Sequence, residues 1–260
     1  MSHRTTVLLG QFATIVLMLG IWEYASGRWV DAFFVSKPSA IAVKLWSELF
    51  EPSFHNDLLV TALEMFGGYA IGGFGGVALG VLLARWPVAA QILDPIFVAL
   101  NSIPRIALAP LLVIWFGIDM ASKIVLSATL VFFLTFFNTL AGMLNVDSGL
   151  INVAKVQGAS ERQIFLKVML PGATSWIMTG LRTALPFALI GVIVGEFLAA
   201  SVGLGYRLNM YATTYNTAGT MAMLFVMMAC MMFLNGAMIR IERRLLRWKP
   251  RSAYELQTGQ

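Results

Sequence analysis

Apolar residues fall in long runs separated by short polar segments. The runs cover 7–22, 58–84, 89–116, 124–144, 173–200 and 218–239. About 20 mostly apolar residues carry a helix across the hydrocarbon of a bilayer, so the pattern predicts an all-α polytopic membrane protein with six transmembrane helices. The first run follows His3 and Arg4 and is extended by Tyr24. A basic start and small residues near Ala25 also suit a cleaved signal peptide. The run is long enough to span, however, and it reads as an anchoring helix. The segment 27–57 is more polar; Ile41, Leu45, Trp46 and Leu49 are spaced for an amphipathic surface helix, with no chemistry visible in it.

Small and polar residues then mark faces within the spans. Gly68, Gly72, Gly76 and Gly80 recur every four residues, a stripe that lets a second helix backbone approach closely. Gly73, Gly75 and Ala78 match a dinucleotide fingerprint in spacing alone; with no preceding strand they read as packing. Glu64 reads as lying near a membrane interface. The third run contains Pro95, Pro104 and Pro110. Each removes a helix donor and disfavours helical backbone before it, and a break at membrane depth is tolerated where it is buried or lines a wet cavity. Asn101, Pro104, Arg105 and Pro110 are therefore candidates for lining a translocation path; Arg105 is either paired there or snorkels to an interface.

Residues 117–123 read as a tight polar turn, Asn138 as a group that hydrogen-bonds between helices, Pro186 as a kink, and 205–217 as a polar connection. Arg182 follows Pro171 by eleven residues, about 16 Å along a helix. A charge at that depth needs a partner or water, as a structural pair or as part of the route. Glu196 lies further along, near the opposite surface, and is a second path candidate. The methionines of the last run read as gap-filling residues.

The longest polar interruption is 151–171, INVAKVQGASERQIFLKVMLP. Leu150, Val153, Ala154 and Gln157 share one helical face. Gly158 stops that helix, because glycine takes the left-handed C-cap conformation without a Cβ clash. Ser160 and Gln163 form a capping box, and Ile164, Phe165 and Val168 make a second apolar face, so the segment reads as two short helices with a break, ended by Pro171 or continued from it. Such helices suit a membrane surface or a partner protein. The spacing Ala154-x3-Gly158-Ala159-Ser160, followed by Val168-x-Leu170-Pro171, resembles the cytoplasmic coupling loop of ABC-importer permeases. Asn152 and Val153 depart from the Glu-Ala that opens the family pattern, so the polar contact made by that Glu is not expected here. Residues 103–111 and 191–206 resemble the nitrate/sulfonate/taurine branch of the same family.

Composition agrees with a membrane protein: the 260 residues are 58% hydrophobic and 12% charged, against about 25% charged in soluble domains. One cysteine, Cys230, excludes an intramolecular disulfide, and His3 and His55 lie too far apart in the sequence to suggest a histidine metal site. The net charge of +5 is concentrated after the last span, which suits orientation better than nucleic-acid binding. With the coupling loop and both termini in the cytoplasm, eleven Lys and Arg fall inside, five outside, and Arg105 and Arg182 within spans. That bias is the positive-inside one. There is no G-x4-G-K-S/T phosphate loop, no H-E-x-x-H and no paired intramembrane carboxylate motif of a protease or pump.

The resemblance, clearest from residue 58 onward, implies the type I ABC-importer permease fold, with a cytoplasmic coupling helix between the fourth and fifth spans. It divides the chain into an anchor helix and extracytoplasmic linker (1–57), a permease core with its coupling loop at 147–171 (58–245), and a basic cytoplasmic tail (246–260). It implies a transport subunit rather than an enzyme, with no catalytic, metal or cofactor residues of its own and ATP bound by partner chains. Those partners are cytoplasmic ABC ATPase subunits, an extracytoplasmic solute-binding protein and a second permease subunit, as a homodimer, in the bilayer of the cell inner membrane. The docking residues it implies are Ala154, Gly158, Ala159, Ser160, Glu161, Arg162, Phe165, Leu170 and Pro171. The cargo it implies is a small organic or inorganic anion such as a sulfonate, taurine or nitrate. The competing class is a secondary carrier driven by an ion gradient, for which Arg105, Arg182 and Glu196 would be recruited.

Overall fold

A computed structural model describes residues 3–246; Arg247, Lys249 and Arg251 of the expected basic tail lie outside the described residues. In chain order the helices are α1 (His3–Ala25), α2 (Ala32–Val35), α3 (Pro38–Leu49), α4 (Pro52–Ala84) and α5 (Pro87–Ser102). A 3-10 turn (Arg105–Leu108) leads into α6 (Ala109–Phe116), then come α7 (Met120–Leu144), α8 (Ser148–Val156) and α9 (Glu161–Ile164). A π turn (Phe165–Met169) joins α9 to α10 (Leu170–Ala199), followed by α11 (Leu204–Thr213) and α12 (Thr217–Leu245). Among the described residues there is no strand, only an isolated bridge between Ser26 and Val30. Among the described residues five helices are long and apolar enough to span a membrane; α5 with the 105–116 segment, bent by 73°, makes a sixth if the pair is one broken span.

The chain forms two compact units. One holds the described residues through Thr61 together with Ala200–Cys230. Its α1 leaves Phe12, Leu17 and Met18 exposed, as suits a helix in lipid. The 205–217 segment, expected as a polar connection, is largely helix α11, and its Arg207 is buried. Arg207 Nε bonds Asp57 Oδ2 at 2.7 Å, Nη1 bonds Glu48 Oε2 at 2.6 Å, and Nη2 donates to Ser53 Oγ at 2.8 Å. Tyr211 O–H donates to Glu48 Oε1, which Lys44 Nζ also meets at 2.7 Å. Asp57 Oδ1 and Thr61 Oγ1 accept the backbone N–H groups of Gly203 and Leu204, each at 2.8 Å, and so cap α11. Burial alone would raise the Glu48 pKa, but the hydrogen bonds from Lys44 and Tyr211 and the charges of Lys44 and Arg207 outweigh it and hold the carboxyl below the usual range. The linker in which no chemistry was visible thus contributes the acids of a buried network. In α3 itself Ile41 and Glu48 face inward while Trp46 and Leu49 are exposed.

The other unit holds Ala62–Ala199 and the described residues from Met231. Its centre is α7, whose Val131, Thr135, Phe136 and Met143 are buried. The glycine stripe of α4 lies on α7 as its spacing predicts: a Cβ at Gly76 would stand 2.5 Å from Phe132 O, and one at Gly80 would stand 2.8 Å from Thr139 Cβ. The close approach lets Thr135 Oγ1 donate across to Gly72 O at 3.3 Å. On the other flank Ser127 Oγ donates to Ala188 O of α10 at 3.0 Å. Changing Gly76 to leucine is therefore expected to cost about 1–3 kcal/mol through overpacking. Gly75→Ala should be near neutral, since its Cβ would meet Phe132 Cδ2 at an ordinary 3.5 Å. Thermal unfolding of the two purified variants checks the contrast.

Two local expectations are corrected here. The turn expected at 117–123 is already helix from Met120, and Lys123 is buried in the first turn of α7, its ammonium hydrogen-bonded to the carbonyls of Ile118 and Asp119. Asn138 bonds Leu134 O of its own helix at 2.8 Å and packs against Gly180 instead of bonding across. Glu64 is also buried, within α4.

Candidate functional site

The polar stretch after α7 builds a compact helix–turn–helix device. Asp147 caps α8 by accepting the Gly149 N–H at 2.7 Å. Leu150, Val153, Ala154 and Gln157 of α8 line an open groove of about 380 Å³ with Lys167, Val168, Pro171 and Gly172. Beyond the groove Val156 is 89% exposed. The turn depends on Gly158, at φ +79°, a conformation that side-chain-bearing residues rarely adopt. Its N–H donates to Lys155 O at 2.9 Å, and the Ala159 N–H donates to Ala154 O at 3.0 Å. Ser160 then opens α9 with the expected capping box: Ser160 N–H donates to Gln163 Oε1 at 2.8 Å, and Gln163 N–H to Ser160 Oγ at 3.4 Å.

Glu161 and Arg162 are exposed, Ala159 and Phe165 half-buried, and Ile164 buried. The Arg85 guanidinium stands 5.8 Å over the Phe165 ring. Beyond this point the structure departs from two separate short helices. Residues 161–199 form one apolar helical stretch, and Leu170 and Pro171 lie inside it. A proline in a helix lacks an N–H and clashes with the carbonyl four residues back. The π turn relieves this: the Leu170 N–H reaches Phe165 O, five residues back. The segment from Glu161 is thereby continuous with the span that ends at Ala199.

The path candidates occupy different settings. Asn101 and Pro104 sit at the bend between α5 and α6, and Pro110 is in the first turn of α6. Pro95, by contrast, lies inside α5 without ending it. Arg105 Nη2 donates to Asn101 O at 2.8 Å and also to Asn101 Oδ1, and its guanidinium lies 4.4 Å from the Phe133 ring centroid. Arg182 is 42% exposed and finds partners on α12: Asn235 Oδ1 at 3.2 Å and Glu242 Oε2 at 3.5 Å. Glu196 is buried in α10. Sequence reasoning missed the buried Lys123, Glu48 and Arg207; each sits in a locally polar stretch, and only its distant neighbours enclose it.

Residues 76–247 match the family described as binding-protein-dependent transport system inner membrane component. The chain belongs to this family. It is 32% identical over 244 residues to the aliphatic sulfonates transport permease protein SsuC of Escherichia coli (strain K12), covering 92% of this chain and 91% of that protein. It is 30% identical to the formylaminopyrimidine transport permease protein ThiX of Halalkalibacterium halodurans, covering 90% and 93%. Its fold matches a chain of the MetNI methionine ABC transporter solved in inward-facing conformations, with a TM-score of 0.56 at 23% identity over 80% of this chain and 97% of that one. The ABC permease is thus a multi-pass inner-membrane transport subunit of a binding-protein-dependent system, and the gradient-driven carrier reading is set aside.

Proposed function

We propose that this permease imports a small organic sulfonate, taurine included, or a related small anion. It works as a homodimer with two cytoplasmic ATPase subunits docked on the segment from Ala154 to Pro171. Nitrate falls in the same class. Similarity to SsuC favours the sulfonate; the arginines at 105 and 182 are compatible with an anion. An extracytoplasmic binding protein delivers the cargo, both termini lie in the cytoplasm, and ATP is hydrolysed by the partner chains. The anchor-plus-linker, core and tail division at 57 and 245 belongs to this reading.

The observation that carries it is the exposed apolar face of α8 beside a glycine-locked turn, mounted on a helix continuous with a membrane span. At ~1.5 Å per residue, the 39 residues from Glu161 to Ala199 make a long lever. ATP binding closes the ATPase pair and moves the docked segment; the lever carries the motion into the path, which opens toward the loaded binding protein, and hydrolysis resets it. Copurification from the native membrane tests this. An ATPase chain is expected with the wild type and is lost with Ala159→Trp. Vesicles of the assembled complex are expected to accumulate taurine or an alkanesulfonate only with ATP and the binding protein. Uptake by the lone chain in an ion gradient would refute the assignment.

A further inference from the structure

We propose that Arg105, at the bend between α5 and α6, binds the oxyanion group of the cargo in transit, an assignment that rests on the cargo being an anion. α5 has 16 residues before the bend and α6 has 8 after it, roughly 24 Å and 12 Å of helix. The bend is therefore interior to a long apolar segment, where a charge needs a partner or water. Asn101, Ser102, Ile103 and Pro104 are all exposed at this break. Broken backbone inside such a segment is tolerated where it is buried or lines a wet cavity, and exposure leaves the wet cavity.

The guanidinium is held in place but not neutralised. Nη2 donates to Asn101 O at 2.8 Å and to Asn101 Oδ1, and the Phe133 ring of α7 stands 4.4 Å from the guanidinium carbon. An amide and a ring face bring no full negative charge. Arg182 has Glu242, and Arg207 has Glu48 and Asp57; among the described residues no carboxylate pairs with Arg105 in this way. Arginine has five N–H donors. Nε is buried with no hydrogen-bond partner, and among the described residues the two donors of Nη1 are uncommitted. A sulfonate or nitrate supplies what is lacking, a negative charge on several oxygens that accept charge-assisted hydrogen bonds. Anchoring by Asn101 and Phe133 lowers the cost of ordering the side chain when the anion arrives. Two free donors also hold an ion loosely enough to release it, as passage requires. A lipid phosphate offers the same oxygens, so the experiment must separate it from the cargo.

The test uses the full chain with its ATPase and binding-protein partners. Phenylglyoxal modifies exposed guanidinium groups, and mass spectrometry of the peptides reads Arg105 and Arg182 in one sample. Sodium methanesulfonate is expected to slow modification of Arg105 saturably, relative to sodium chloride at equal ionic strength, and to leave Arg182 unchanged. The protection should be the same in lipid nanodiscs and in lipid-free detergent. Protection that needs lipid and ignores methanesulfonate would assign a lipid phosphate and overturn the proposal. An Arg105 unreactive in every sample would be closed to ligands, with the same consequence. In proteoliposomes Arg105→Met should lower the maximal rate of methanesulfonate uptake about tenfold, the equivalent of one charge-assisted hydrogen bond. Binding-protein-stimulated ATP hydrolysis and the unfolding temperature should stay near wild type, and Arg105→Lys should recover part of the uptake. A lowered unfolding temperature with hydrolysis and uptake falling together would make Arg105 a clamp on the bend and overturn its role toward cargo. Absence of both sulfonate and nitrate uptake from the wild type would strike the anion reading itself, whereas full uptake by Arg105→Met would strike this site alone.

Discussion

Proline at position 158 is expected to abolish substrate uptake while the protein still inserts into the membrane. Gly158 holds φ at +79° and gives its N–H to Lys155 O. Proline fixes φ near −65° and has no N–H, a mismatch worth roughly 3 kcal/mol or more. That penalty leaves the native turn populated at about one part in a hundred or less. The turn is exposed, so the spans themselves are untouched. The ATPase partners should keep their basal hydrolysis but lose its stimulation by loaded binding protein. Gly158→Ala grades the effect: alanine can reach positive φ at about 1–2 kcal/mol, so a partial loss is expected. Ala159→Trp, at the half-buried residue that follows the turn, should abolish uptake by bulk, through loss of the ATPase chain itself. Binding-protein-stimulated ATP hydrolysis and uptake, measured in parallel on reconstituted complexes, separate uncoupling from misfolding. Normal uptake in both Gly158→Pro and Ala159→Trp would remove this segment from the coupling pathway.

That turn was legible in the sequence because everything that builds it is local. Gly158, the Ser160–Gln163 box and the apolar spacing of α8 all act within a few residues of each other. The glycine stripe was legible for a related reason: a four-residue repeat marks a face, and α7 covers that face. What stayed hidden depends on distance along the chain. Arg207 meets Asp57 across 150 residues and Glu48 across 159, so a stretch that reads as solvated linker becomes the wall of a buried ion cluster. Lys123 misled in the same way, since a lysine next to a turn reads as exposed until α10 closes over it. Pro171 left two readings open, an end or a start; it stands in the first turn of α10, and the widened turn before it keeps the helix continuous.

Arg207→Met is expected to be the most destabilising single change in the chain. Arg207 holds Asp57 and Glu48 at 2.7 and 2.6 Å, with both carboxylates and the guanidinium buried. Removing one partner of a buried pair costs about 3–5 kcal/mol, because the remaining charge has neither water nor counter-ion. Glu48 would still have Lys44 and Tyr211; Asp57 would keep only the α11 backbone cap, so the loss should be felt mainly there. Lysine at 207 should rescue only part of the stability, since a point charge cannot reproduce a planar fork bonded along three directions. Asp57→Asn in the methionine background should recover more, by removing the stranded charge. Arg182→Met is the contrast: its partners lie at 3.2 and 3.5 Å and the side chain is 42% exposed, so a change of no more than about 1 kcal/mol is expected. Acid should mimic the Arg207 lesion. The Glu48 pKa lies below the usual range, so its stabilising contribution is complete at neutral pH and is lost as pH falls through the folded-state pKa. Unfolding temperatures of the wild type and the Arg207→Met variant between neutral and acidic pH check both claims, because the acid-induced fall should be shallower once Arg207 is gone. Equal slopes would mean that the network adds nothing to the fold beyond its packing.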